Sequence, residues 1–144
     1  MRKSILGAVA AAAAITAIGG AASASIPAPL DAIVPGSEVR RSTTFGDEWR
    51  SEVLKFHRDG TVTGNYQIRR STLRAGAIEH REGRIRGSWT LEYGKLCVTG
   101  LGFAYKYKSC FHVSKRYGRG KEYSAIDVRT GDVWKTFIYP HAAF

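Results

Sequence analysis

The chain has 144 residues, which suits one modest domain. Its 22 basic and 12 acidic side chains give a formal net charge of +10, so anionic partners are favoured and a basic protein partner such as a lysozyme is not. Two cysteines exclude a disulfide-dense miniprotein, and no further ligands surround them at the short spacing a zinc site needs.

Residues 1–24 carry the three parts of a secretory signal peptide. Arg2 and Lys3 make a positive start, Ile5 to Ile18 an apolar core, and Ala22-Ser23-Ala24 a small-residue cleavage site. An uncleaved membrane anchor is the alternative, opposed by Gly19-Gly20 and the Ala-x-Ala end. Cleavage before Ser25 would leave 120 residues with 20 basic and 12 acidic groups, a net +8, in the periplasm or secreted. Residues 25–36 form a proline-rich lead-in. There Leu30, Ile33 and Val34 have the spacing of one helical turn, which would plug an end of the domain.

From residue 37 to 144 the pattern is that of strands separated by short turns. Residues 37–45 and 50–57 read as the first two, with Leu54 and Phe56 on one face. Asp59-Gly60 is a hairpin signal. Residues 61–69 alternate strictly, with Val62, Gly64, Tyr66 and Ile68 facing inward. Residues 70–82 read equally as loop or ragged strand. Alternation returns with Ile85, Gly87, Trp89 and Leu91 inward and Arg84 and Arg86 outward. After a turn at 93–95, Leu96 and Val98 point in and Cys97 points out. Residues 104–113 are predicted as a strand with Tyr105, Tyr107, Phe111 and Val113 on one face, and Lys106, Lys108, Cys110 and His112 on the other. A basic loop at 114–121 and strands at 122–128 and 133–139 complete a set of about eight. That cadence predicts an all-β, small antiparallel up-and-down barrel, since closure removes exposed edges.

An even cysteine count in an exported chain favours a Cys97–Cys110 disulfide, with free thiols the alternative. The segments FHRDGTVTG, GSWTLEYGKLCVTG and KSCFHV together resemble a family of small exported alphaproteobacterial proteins of unassigned function. Asp59, Gly60, Gly64, Gly87, Trp89, Leu96, Cys97 and Cys110 carry the resemblance, which implies a lipocalin-like barrel and transfers no catalytic residue.

The expected role is non-enzymatic binding of an envelope ligand, either a small amphipathic or anionic molecule in the barrel mouth or a partner on a cationic face. Neither cofactor nor metal is expected. Candidate ligand-binding residues are Arg84, Arg86, Lys106 and Lys108, which would form one stripe if their strands adjoin. They stand within two basic runs that also hold Arg69, Arg70, Arg74, Arg81, Lys115, Arg116, Arg119 and Lys121. One alternative is a protease inhibitor working through 25–36 or 70–82. Another is a basic ribonuclease drawing on Glu79, His80, Arg81 and His112 for acid–base chemistry, which would make nucleic acid the partner.

Overall fold

A computed structural model describes residues 26–72, 76–118 and 120–142. The expected signal peptide, Arg74 and Arg119 lie outside the described residues. The strands are β1 (Ile26–Pro27), β2 (Ser37–Phe45), β3 (Glu48–Phe56), β4 (Thr61–Ser71), β5 (Ile78–Glu92), β6 (Lys95–Leu101), β7 (Ser109–Lys115), β8 (Glu122–Asp127) and β9 (Val133–Tyr139). The single helical turn, α1 (Leu30–Ile33), falls where the lead-in predicts it.

All pairings are antiparallel, in the order β7-β6-β5-β4-β3-β2-β9-β8, and β8 returns to β7. The result is a closed eight-stranded antiparallel barrel, consistent with a lipocalin-like fold. Every strand from β2 to β9 pairs with its neighbours in sequence and β9 pairs back with β2, so the barrel is the expected up-and-down meander. β1 pairs with β7 beyond the end of β6, with Pro27 opposite Ser114 where Leu96 is opposite Phe111. The ambiguous stretch at 70–82 is the far end of the long β4–β5 hairpin, with Ser71 opposite Ile78.

Alternation puts Val39, Leu54, Phe56, Val62, Ile85, Leu96, Val98, Phe111, Val113, Ala125, Trp134 and Ile138 inside. Leu30 and Val34 of the lead-in join them and close one end. Trp134, the largest fully buried side chain, packs edge-on against Phe111 and Phe45. Each large apolar side chain buried this way contributes about 1.5–3 kcal/mol. Trp89 is half-buried against Phe56, and its indole N–H donates to the His57 carbonyl.

The strand expected at 104–113 begins only at Ser109. Gly102 adopts a positive φ of 84°, which takes the chain out of the β6 ladder. The segment 102–108 then folds over the other end of the barrel as a lid. Tyr105 packs edge-on to Phe45, and its hydroxyl donates to Asp132. Burial, followed by that bond, pushes the Tyr105 hydroxyl pKa up to about 12. Tyr107, expected inside, is exposed.

Cys97 and Cys110 face each other across β6 and β7 and form a disulfide, S–S 2.07 Å. The bridge lies on the outer wall, as the alternation requires. Cys97 is 1% exposed and Cys110 partly buried, and the Glu92–Lys108 ion pair sits beside the bridge. The hydrogen bond from Lys108, more than its charge, holds the Glu92 carboxyl below its ordinary pKa. Glu92 and the two sulfurs lie close enough together to resemble a metal cluster, but both sulfurs are spent in the bridge. Reducing the disulfide should lower the unfolding free energy by about 3 kcal/mol. Denaturant unfolding with and without reductant checks this; coincident curves would show that the bridge adds nothing.

Candidate anion-binding trough

Outside the barrel, β3, β4 and β5 form a trough of about 540 Å3. Its floor is the backbone around Val62, Gly64, Ile85 and Gly87. Val62 is opposite Gly87 and Gly64 is opposite Ile85, so the two glycines sit on successive inward-facing rungs of one ladder, with the Thr63–Arg86 rung between them. A Cβ at Gly64 would run into the Val53 carbonyl oxygen, and one at Gly87 into that of Thr99. Glycine therefore lets neighbouring strands approach and the wall bend at this point, leaving a hollow on its outer side.

The side chains rimming the hollow come from rungs of the same ladders. Lys55 is opposite Thr63, and Thr63 is opposite Arg86. On the next outward rung, Asn65 is opposite Arg84. With Thr61 these make three cations, two hydroxyls and an amide; among the described residues no acidic side chain lines the trough, although the Thr61 hydroxyl donates to Asp59 beside it. Thr63 also bonds His57 Nε2 at 2.9 Å. Such a surface can hold a phosphate, sulfate or carboxylate by charge-assisted hydrogen bonds.

The expected stripe of Arg84, Arg86, Lys106 and Lys108 is not formed. β6 lies between β5 and β7, so the two strands do not adjoin. Lys108 is paired with Glu92, six residues along β5 from Arg86 and on the order of 20 Å away. Lys106 is on the exposed lid. Arg84 and Arg86 do share a face, but their cationic neighbour is Lys55, from a strand the sequence reading did not connect to them.

The ribonuclease residues are likewise not assembled. Glu79 and Arg81 pair with each other at 3.2 Å on exposed β5, His80 lies 3.9 Å from Glu82, and His112 projects from β7 opposite Ile126. The lead-in does not project as an inhibitor loop would, because Leu30 and Val34 are buried and Ile26–Pro27 are paired.

A second cluster, absent from the sequence reading, lies inside the barrel beneath the lid. Arg41 and Arg50 both bond Glu52, Nε to Oε2 at 2.7 Å and Nε to Oε1 at 2.8 Å. All three are at least 94% buried. The Arg41 guanidinium lies over Trp134 and Phe111, and that of Arg50 over Tyr66. Arg50 also donates to the Gly102 carbonyl, which ties the lid to the cluster. Two guanidiniums on one carboxylate leave an excess positive charge in the buried interior, offset by ring quadrupoles. The signal was present in the sequence, because Arg50 and Glu52 share the parity of Leu54 and Phe56.

Among the described residues, no helix is long and apolar enough to cross a membrane. Compared with known proteins, the chain matches no family model and no curated protein. Over the described residues it is a small closed β-barrel with a cationic trough on its wall and a filled lumen.

Proposed function

We propose that the protein is an exported, non-enzymatic binding barrel whose ligand is an anionic envelope component held in the β3–β5 trough. The observation that carries this reading is the convergence of Lys55, Arg84 and Arg86 on one hollow with the Asn65 amide and no acid among the residues that line it. A lumen ligand is less favoured, because Trp134, Phe56, Phe111 and the Arg41–Glu52–Arg50 cluster fill the interior and the lid covers its mouth.

The test uses heparin as a polyanionic probe. Binding should weaken steeply with salt, because each cation contacting the polymer releases a counterion. Arg84→Ala/Arg86→Ala should reduce the salt slope by about two and the low-salt affinity by at least about tenfold. Lys106→Ala/Lys108→Ala should change affinity by less than about twofold, since neither residue lines the trough. Equal losses in the two pairs would replace the trough with diffuse surface charge.

A further inference from the structure

We propose that the ligand is a linear acidic polysaccharide that leaves the cationic trough, crosses β3 and enters a second trough over β2, β8 and β9; this rests on the reading just given. The second trough holds about 530 Å3 and differs in chemistry from the first. Ser42, Thr44 and Ser124 supply small hydroxyls, Trp49 and Lys135 stand among them, and Arg116 lies at one side. Asp132 is the only acid lining it, and its carboxylate already accepts from the Tyr105 and Thr130 hydroxyls. Arg116 is paired with Glu122 at 2.9 Å. This surface offers hydrogen bonds and one aromatic edge more than it offers charge.

A strip of polar side chains joins the two troughs. Asn65 in the first trough is two residues from Gln67 on the outward face of β4. Gln67 is opposite Ser51, Ser51 opposite Ser42, and Ser42 opposite Lys135 in the second trough. The strip itself carries amides, hydroxyls and a lysine, and Glu82, opposite Gln67 on β5, borders it. The trough centres lie about three strands apart around the closed eight-stranded wall, beyond the span of one anionic group, so a ligand reaching both follows the curve of the barrel. A ligand that fills both must carry anionic groups and many hydroxyls on one extended chain, which describes an acidic polysaccharide.

Single-stranded nucleic acid fits less well. It would need aromatic platforms for its bases. The rings beside this path already carry cations: Arg69 over Trp49, Lys135 over Phe137, and Arg40 and Lys121 over Tyr139.

The experiment measures binding of the full chain to heparin oligosaccharides of increasing length, with a length-matched polyphosphate and a single-stranded DNA as comparators. Affinity should rise at least about tenfold between a disaccharide and a chain long enough to reach both troughs. Lys135→Gln, remote from the first trough, should remove that gain and leave disaccharide binding within about twofold, and Gln67→Glu, which adds a carboxylate to the strip, should remove the gain as well. Lys106→Gln, the same change in charge off the path, should leave both unchanged. Arg84→Ala/Arg86→Ala should weaken short and long chains alike. A length gain that survives Gln67→Glu and Lys135→Gln overturns the second trough and leaves the first standing. Loss of effect in the arginine pair overturns the first reading itself. Polyphosphate or DNA binding as tightly as the matched oligosaccharide overturns the assignment to a saccharide.

Discussion

Glu52→Gln should lower the unfolding free energy by about 3–5 kcal/mol, which corresponds to about 10 °C or more in Tm. Glutamine keeps the shape and removes the charge, so Arg41 and Arg50 would stay buried with no carboxylate bonded to either among the described residues. The cost comes from stranding two desolvated cations, not from losing two strong bonds. A combined replacement of Arg41, Arg50 and Glu52 by apolar residues of similar volume should therefore recover most of the loss. Thermal and urea unfolding of the single and triple variants decide the point. If Glu52→Gln melts with the parent protein, the cluster is solvated and its apparent burial carries no energetic weight. The lid supplies a second readout. Arg50 reaches the Gly102 carbonyl only while Glu52 orients it, so residues 102–108 should lose protection from hydrogen exchange in Glu52→Gln.

Gly87→Val should cost on the order of 4 kcal/mol or abolish folding. Elsewhere on β5 valine would suit a strand, which makes the prediction sharp. At this rung any Cβ meets the backbone of β6 at Thr99, and backbone in a closed barrel has little room to retreat. Ser88→Val, one position on and facing outward, serves as the control and should change stability by less than about 0.5 kcal/mol. Similar yields and melting temperatures for the two variants would mean that the wall relaxes and that glycine is not what shapes the trough.

The sequence reading was strongest where side chains alternate against an apolar interior. Val62-Gly64-Tyr66-Ile68 and Ile85-Gly87-Trp89 fix the facing of β4 and β5, and with it the outward positions of Arg84 and Arg86. The outer-wall position of the disulfide followed from the same parity at Leu96-Cys97-Val98. What failed was adjacency. The Asp59-Gly60 hairpin does set Lys55 opposite Thr63, because a turn fixes the register of its two strands, but the pairing of β4 with β5 that brings Arg86 to the same rung depends on a longer, ambiguous connection at 70–82. The lid failed for a different reason. Tyr105 and Tyr107 alternate as strand residues do, but the Tyr105 hydroxyl finds Asp132, 27 positions away, and the backbone at Gly102 turns to allow it. Arg41, Arg50 and Glu52 stayed out of the predicted core because charge ordinarily marks an outward position, and here three charges compensate one another inside.

Closure of the barrel by β9 against β2 sets the timing of folding. Val39 meets Ile138 across that seam, so the contact joining the two ends of the domain spans about 100 positions of chain. Hairpins β2–β3, β3–β4, β4–β5 and β5–β6 can form as soon as their own residues are available. Until the last strand arrives, however, β2 and β8 both present bare ladders, and Trp134 is missing from the centre of the core. A chain emerging from a ribosome or a pore therefore holds an open, adhesive sheet for nearly its whole length and becomes a barrel only at the end. Cutting the chain before Val133 would leave a species exposed at two edges, not a smaller stable domain.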